Sequence, residues 1–184
     1  MSNQRLWALA PLMALSLAAC GGEADKAGGG DGATPTPSSK TLAAAIGDAG
    51  DLDTLEGVVK NAGLSEVLDG KGPYTVFAPV NAALGTSGSE LAGEAMKAQS
   101  AALLRAHIVP GALTRADIEA ALARGGADGV QMRTMSDGLL TFSKDGDVVV
   151  VTAADGATAR LTGAETVVSN GVVQPVDGVL VKAE

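Results

Sequence analysis

The sequence predicts a single domain of the α+β class, with helices in its first half and short antiparallel strands in its second. One observation is a change of period, because apolar residues recur at helical spacing up to about residue 124 and in short β-rich runs beyond residue 130. The other is size, since 184 residues, 46% hydrophobic and 18% charged, suffice for one core of ordinary dimensions. We therefore expect one core built from both kinds of element.

The clearest predicted helix follows Asp51, a favourable N-cap residue, and ends at Gly63, which suits a helix C-terminus because glycine adopts positive φ. Thr114, with Asp117 three residues later, resembles a capping box and opens another helix that extends to about Arg124. The apolar face of the first helix is formed by Leu52, Leu55, Val58, Val59 and Ala62. The remaining predicted helices are Thr41–Ile46, Leu64–Leu68 and the Ala-rich and Leu-rich segment Ser89–Arg105.

The first predicted strand is Tyr74–Ala78, whose β-branched and aromatic residues follow the turn Gly70–Pro73. Beyond residue 130, Asp-Gly pairs separate short strand-like runs, and Asp-Gly is a strong hairpin signal. Val148–Val151 is apolar at consecutive positions, which predicts a strand buried on both faces. The Asp-Gly pairs are Asp137-Gly138, Asp145-Gly146 and Asp155-Gly156. The runs are Val130–Met135, Leu139–Lys144, Val148–Thr152, Ala159–Thr162, Glu165–Val168, Val172–Val173 and Val179–Val181.

Composition and charge exclude several classes of function. The formal net charge is −8 and the 13 cationic residues are scattered singly, so the basic stripe that binds nucleic acid is missing and we expect no nucleic-acid partner. One histidine and one cysteine cannot build a zinc cluster or a disulfide framework. The sequence contains no G-x-S-x-G, P-loop or H-E-x-x-H motif. We therefore expect no enzyme activity, no cofactor and no metal site.

The first twenty residues have the layout of an export signal. Arg5 supplies a positive charge, an apolar run extends from Leu6 to Leu17, and two alanines then precede Cys20. This segment resembles a bacterial lipoprotein signal, which implies cleavage before Cys20 and a diacylglyceryl group on its sulfur. Gly21 stands where an aspartate would resemble an inner-membrane retention signal, so the outer membrane is favoured if the cell is Gram-negative. We therefore expect an exported chain, anchored in the cell envelope by lipid on Cys20.

The chain thus divides into a signal peptide at 1–19, a lipidated cysteine and tether at 20–40, and a domain at 41–184. The tether contains six glycines, then Thr-Pro-Thr-Pro-Ser-Ser, and it lacks the apolar residues that would offset the entropy of ordering it. Twenty flexible residues span roughly 25 Å r.m.s., enough to lift a domain off a membrane. Loss of residues 1–19 leaves 12 cationic and 21 acidic residues, so the mature chain carries a net charge of −9.

Three segments of the domain together carry a family resemblance. Residues 74–84 read YTVFAPVNAAL, residues 103–111 read LLRAHIVPG, and residues 170–180 read NGVVQPVDGVL. In this order and spacing they resemble the conserved boxes of fasciclin (FAS1) domains, over nearly all of Thr41 to Lys182. The resemblance implies a single FAS1-like domain, a wedge-shaped antiparallel β-sandwich flanked by helices.

The polar residues of these boxes are the candidate site. Asn81 is expected to satisfy backbone groups near the turn after the first strand, and Asn170 and Asp177, each followed by glycine, are interpreted as turn residues rather than metal ligands. His107 has two interpretations. It is either a buried imidazole hydrogen-bonded within the fold or a partner-binding spot, because the family's tyrosine-histidine segment is linked to receptor contact in some animal members.

The sequence also departs from the family pattern at several positions. Ala106 stands where tyrosine is usual and Gln174 where the closing-box histidine is usual, so two polar anchors are lost. Val80 replaces a threonine and Leu84 a phenylalanine, while the apolar pattern is kept. The fold implied by the resemblance is unaffected, whereas a receptor role for this segment is weakened.

Two functions of different classes follow. The first is a non-catalytic adhesion or interaction module at the cell envelope, binding an envelope or extracellular protein, a polysaccharide, or a second copy of itself. The alternative is a carrier for a small hydrophobic ligand, held in an aliphatic groove between helices and sheet. The aliphatic composition permits a carrier, but an ordinary core contains the same residues.

Overall fold

The structure, a computed structural model, describes residues 36–125 and 129–182. The predicted signal peptide, Cys20 and most of the tether lie outside the described residues. The described chain forms helices α1 Leu42–Gly47, α2 Asp53–Ala62, α3 Ser65–Asp69, α4 Asn81–Leu91, α5 Lys97–His107 and α6 Arg115–Gly125, with a 3-10 turn at Glu94–Met96. Its strands are β1 Tyr74–Pro79, β2 Ile108–Pro110, β3 Val130–Arg133, β4 Leu139–Asp145, β5 Val148–Ala153, β6 Thr158–Arg160, β7 Thr166–Val168 and β8 Gly171–Val176.

The strands form two sheets of four, which confirms the α+β class. The first sheet has the order β2-β1-β8-β7 and the second the order β3-β4-β5-β6. All neighbours are antiparallel except β1 and β8, which run parallel from Tyr74 opposite Gly171 to Pro79 opposite Val176. The expectation of antiparallel strands therefore fails for this one pair, which joins the first strand of the domain to its last.

Two apolar clusters show that the first sheet is covered on both faces. On one face α1, α2, α3 and α5 pack against Val76 and Val173. On the other face Phe77 meets Phe142 of the second sheet, with ring centroids 5.3 Å apart, in a cluster that also holds α6. The described domain thus stacks helices, first sheet and second sheet, which agrees with a sandwich flanked by helices.

All three Asp-Gly pairs lie in hairpin turns of the second sheet, as predicted. They join β3 to β4, β4 to β5 and β5 to β6, which are antiparallel neighbours. Gly146 and Gly156 have φ of 62° and 82°, a region that glycine reaches without steric cost. In the first turn Asp137 itself has φ of 63°, which a short polar side chain tolerates.

The long helix predicted over Ser89–Arg105 is wrong. The chain instead forms α4, the 3-10 turn and α5, and Gly93 between them has an extended backbone with ψ of 144°. The Ala-rich and Leu-rich composition is compatible with a continuous helix, but glycine carries the largest entropic cost of holding helical dihedrals. The break follows from that residue.

Two strand predictions also need correction. Val148–Val151 is not buried on both faces, because Val149 and Val151 are buried while Val148 is 40% exposed. These residues alternate because only one face of the second sheet packs against the core. Val179–Val181 is not a strand, and the N–H of Leu180 donates to a side chain at 2.9 Å instead of to a neighbouring strand.

The contacts of the domain begin inside the segment predicted as tether. Ser38 forms a parallel bridge with Val168 of β7, and its N–H donates to the Val167 carbonyl at 2.9 Å. The Lys40 carbonyl accepts from both the N–H and the hydroxyl of Ser169. The edge strand β7 therefore receives the incoming chain.

Candidate functional site

The four candidate site residues lie at four separate places in the fold. Asn81 begins α4, His107 ends α5, Asn170 lies in the β7–β8 turn, and Asp177 follows β8. No hydrogen bond joins any of them to another, and each bonds chiefly to backbone groups. The structure therefore does not assemble them into one catalytic constellation.

Asn81 joins the start of α2 to the start of α4. Its side-chain oxygen accepts from the N–H of Thr54 at 2.9 Å, and its amide donates to the Gly50 carbonyl at 3.0 Å. Asn81 therefore satisfies a free N–H at the beginning of α2 from 27 residues away. The predicted N-cap Asp51 is wrong, since α2 begins at Asp53 and the N-cap position belongs to Leu52, which has no side-chain bond.

Asn170 connects three elements from a nearly buried position. Its side-chain oxygen accepts from the N–H of Leu42 at the start of α1, at 2.9 Å. Its amide donates to the carbonyls of Leu68 and Gly70 at the end of α3, both at 2.7 Å. One amide thus satisfies groups at two helix ends, which would otherwise be left without partners beneath the β7–β8 turn.

His107 is fully buried and both of its ring nitrogens are occupied. Nδ1 lies 2.8 Å from the carbonyl of Leu103, and Nε2 accepts from the N–H of Leu180 at 2.9 Å. This pattern assigns the proton to Nδ1. Burial lowers the pKa of His107 to about 4, because charging the imidazole away from water is unfavourable, and the bond to Leu103 offsets a part of this effect. The imidazole holds the C-terminal segment and offers no free nitrogen to a partner.

Asp177 is exposed and stabilises the outer edge of β6. Its carboxylate accepts from the N–H of Arg160 at 2.6 Å, and its own N–H donates to the Arg160 carbonyl at 3.1 Å. The Arg160 guanidinium also pairs with Asp145 at 3.1 Å. These contacts cover backbone groups of an edge strand that would otherwise be open to pairing with another chain.

The sequence did not predict a polar network around Gln174, although it marked this position as unusual. Gln174 is fully buried, and its amide donates to the carboxylate of Glu165 at 2.6 Å and to the Leu113 carbonyl at 3.2 Å. The same carboxylate accepts from the N–H of Arg115 at the start of α6, where a negative charge is favourable. Gln174 is therefore itself a polar anchor within the fold, so the expectation that an anchor is lost at this position is wrong. The two acceptors of its amide lie 9 and 61 residues away in the sequence.

Three cavities formed by described residues differ in size and lining. One of about 470 Å³ contains Asp145, Arg160 and Asp177. Another of about 600 Å³ lies between α2 and the 3-10 turn, beside Lys60 and Lys97. The smallest, of about 170 Å³, has a mainly apolar lining at the end of α5.

The described residues contain no group of three potential metal-ligating side chains. Within the same ranges, no helix is both long enough and apolar enough to cross a membrane.

A family model and a solved structure both point to the fasciclin domain. A family model for the fasciclin domain matches residues 50–182. The protein sll1483 of Synechocystis sp. is 32% identical over 151 residues, which cover 79% of this chain and 75% of that protein. A solved structure of a FAS1 domain pair from the insect cell adhesion molecule Fasciclin I has a TM-score of 0.68 at 13% identity. The match covers 79% of this chain and 52% of the insect chain. The chain thus spans about half of that domain pair, and at this identity the likeness is one of fold.

Proposed function

The chain belongs to the fasciclin (FAS1) domain family, and from this premise we propose that it is a tethered interaction module of the cell envelope. Domains of this family are generally non-catalytic adhesion modules. The solved relative is a domain pair from a cell adhesion molecule. On this proposal the chain binds a protein, a polysaccharide or a second copy of itself, and its activity is recognition.

The observation that carries the proposal is the use of the family's polar residues. Asn81, His107 and Asn170 all place their side chains in hydrogen bonds with backbone groups of neighbouring elements. A general base needs a reactive atom that reaches a substrate. The imidazole of His107 has none, because it is buried and both of its nitrogens are engaged in hydrogen bonds within the fold. The motif residues therefore build a scaffold, and recognition falls to the surface that this scaffold presents.

The anchor is part of the same proposal. A diacylglyceryl group and a further acyl chain at Cys20 would hold the mature chain firmly, at about 0.8 kcal/mol for each buried CH₂. The Gly-rich and Pro-rich tether would then let the domain sample orientations within roughly 25 Å of the membrane. A domain presented in this way can reach a partner beyond the membrane surface.

The alternative function, a carrier for a small hydrophobic ligand, has weaker support. Sites for such ligands are typically cavities of roughly 300–1,000 Å³ with a mostly apolar lining. The two cavities of that size described above contain charged side chains, and the mainly apolar one has about 170 Å³. The adhesion proposal is therefore preferred.

The proposal is tested by measuring how well living cells attach to a surface or to one another. Cells that lack the gene are complemented with the wild type, with Cys20→Ala, or with Ala24→Ser as a matched control in the tether. We expect the wild type and the control to restore attachment. Cys20→Ala should release the domain into the periplasm or medium and fail to restore attachment. Attachment that is unchanged in the deletion strain would contradict the proposal.

A further inference from the structure

The turn between β7 and β8 contains Asn170 followed by Gly171, which is the only Asn-Gly pair in the sequence. An asparagine side chain loses ammonia most readily before glycine, because glycine has no Cβ to hinder attack by its backbone nitrogen. We infer that Asn170 is a site of spontaneous deamidation that the fold protects, so that the modification marks chains whose β7–β8 turn has opened. This inference goes beyond the proposed function, since it concerns how long an intact domain persists and not what it binds.

The reaction releases ammonia and consumes water. The backbone nitrogen of Gly171 loses its proton and attacks the side-chain carbonyl carbon of Asn170, which forms a new C–N bond and expels the amide group as ammonia. Water then opens the resulting five-membered succinimide ring. If the bond from the nitrogen to the side-chain carbon breaks, the product is aspartate, and if the bond to the backbone carbon breaks, the product is isoaspartate. Neither step is an oxidation or a reduction.

The fold needs both residues of this reactive pair, for separate reasons. The side chain of Asn170 satisfies backbone groups at the start of α1 and at the end of α3. An added Cβ at Gly171 would overlap the carbonyl oxygen of Tyr74, so glycine is needed where β8 lies beside β1. Structural demands on two neighbouring positions therefore create a reactive sequence in this turn.

The same contacts hinder the reaction in the folded domain. The side chain of Asn170 is held by three hydrogen bonds to backbone groups, at 2.7 to 2.9 Å, and the residue is only 5% exposed. Attack would draw its carbonyl carbon towards the Gly171 nitrogen and away from these partners. Gly171 is also buried, so water and hydroxide do not reach the proton that its nitrogen must lose. The reaction therefore has to wait until the turn opens.

The products do not fit the place that the asparagine occupied. A carboxylate only accepts hydrogen bonds, so it would face the carbonyl oxygens of Leu68 and Gly70 without a proton to share. A buried charge without a partner is strongly unfavourable. Isoaspartate would instead add a carbon to the backbone of the two-residue turn that sets Val168 opposite Gly171. A chain that is modified while open is therefore hindered from closing again.

The experiment incubates the purified full-length protein at neutral pH in native buffer and, in parallel, in guanidinium chloride that unfolds it. Mass spectrometry of peptides follows the conversion of Asn170 with time. We expect conversion in the native protein to be at least about tenfold slower than in the unfolded chain, because it requires opening of the turn. Asn61 and Asn81, each followed by alanine, are internal controls and should convert more slowly than Asn170 in the unfolded chain.

Two variants separate the chemistry from the fold. Gly171→Ala, compared with the wild type only in guanidinium chloride, where folding plays no part, should slow the conversion of Asn170 about tenfold. Asn170→Asp carries one of the products, and we expect it to unfold at a far lower guanidinium concentration than Ser169→Asp, or not to fold. Ser169→Asp is the matched control, because it places the same charge on the exposed neighbour and loses only the hydroxyl bond to the Lys40 carbonyl.

Three results would overturn the inference. Equal rates in the native and the unfolded protein would show that the fold gives Asn170 no protection. A rate in the unfolded chain no higher than at Asn61 and Asn81 would show that the pair is not reactive. An Asn170→Asp protein as stable as Ser169→Asp would show that the product is tolerated in the turn. Each of these results leaves the proposed function untouched, because cell attachment is measured separately.

Discussion

At the scale of single residues, His107 links the fold to pH. Only the neutral imidazole can donate from Nδ1 and accept at Nε2, as the contacts to Leu103 and Leu180 require. The pKa of His107 is about 4 in the folded protein and about 6.5 in the unfolded chain, so the unfolded chain takes up a proton first as the pH falls. The neutral imidazole therefore contributes its full share to the free energy of unfolding above pH 6.5. This contribution is lost as the pH falls from 6.5 towards 4, and the total loss is on the order of 3 kcal/mol.

We expect His107→Leu to lower the free energy of unfolding at pH 7 by about 2–4 kcal/mol, because it leaves the buried N–H of Leu180 without its acceptor and removes the bond from the ring to the Leu103 carbonyl. It should also flatten the pH dependence between 6.5 and 4, since the sequence has no other histidine. Urea unfolding of both proteins across this range measures the effect. Hydrogen bonds lower the pKa values of Asp117 and Asp155, so these carboxyls affect stability at more acidic pH than His107 does. If the free energy of unfolding depends on pH equally steeply in the wild type and in His107→Leu, the effect does not come from His107.

Asn170 shows how one side chain can hold several elements. We expect Asn170→Ala to reduce the free energy of unfolding by about 3 kcal/mol, because the side chain makes three bonds to backbone groups and is 5% exposed. Ser169→Ala, in the same turn but exposed, is the matched control; it removes only the bond from the Ser169 hydroxyl to the Lys40 carbonyl and should cost less than about 1 kcal/mol. Chemical denaturation of both variants provides the comparison, and equal losses would contradict this account of the turn.

At the scale of secondary-structure elements, the start of α2 allows a direct comparison of the predicted and observed caps. Asn81→Ala should lower the free energy of unfolding by about 1 kcal/mol, because it removes the acceptor for the Thr54 N–H. Asp51→Ala should change it by less than about 0.5 kcal/mol, since that side chain does not cap the helix. If Asp51→Ala is the more damaging change in thermal unfolding, the cap observed in the structure is not the one that matters in solution.

The same contrast shows what the sequence could predict. Gly63 at the end of α2 and the Asp-Gly turns depend on residues next to one another, and local sequence identifies them. The bond from Asn81 to Thr54 spans 27 residues, and that from Asn170 to Leu42 spans 128. The periodicity of apolar residues contains no information on such distant partners. The sequence therefore identified Asn81 and Asn170 as candidates but did not predict the groups to which they are hydrogen-bonded.

Strand pairing follows the same division. The antiparallel hairpins of the second sheet join neighbours in sequence, whereas the β1–β8 pair brings Tyr74 beside Gly171. At Gly171 an added Cβ would overlap the Tyr74 carbonyl oxygen, so the close approach of these strands needs glycine. The closing box of the sequence contains Gly171, and the parallel pairing of β1 and β8 explains why glycine is needed at this position.

At the scale of the whole molecule, charge limits the surfaces that the domain can approach. On the proposed cleavage before Cys20, the mature chain would carry a net charge of −9, and this charge would repel anionic lipid when little salt is present to screen it. We expect the non-lipidated Cys20→Ala protein to show no binding to anionic vesicles in low-salt buffer, as measured by co-sedimentation. Neutral vesicles are the control. Calcium-independent, salt-sensitive binding to the anionic vesicles would show that an attractive patch outweighs the net charge.

The central claim is that an anchored FAS1 domain acts by binding another macromolecule. Native mass spectrometry of the protein recovered from its own envelope tests it most directly. We predict a chain that begins at Cys20 with covalent lipid, in complex with a second polypeptide or a glycan, and without a bound small ligand. A monomer with an unmodified cysteine that releases a stoichiometric hydrophobic molecule on denaturation would contradict the claim and favour the carrier function.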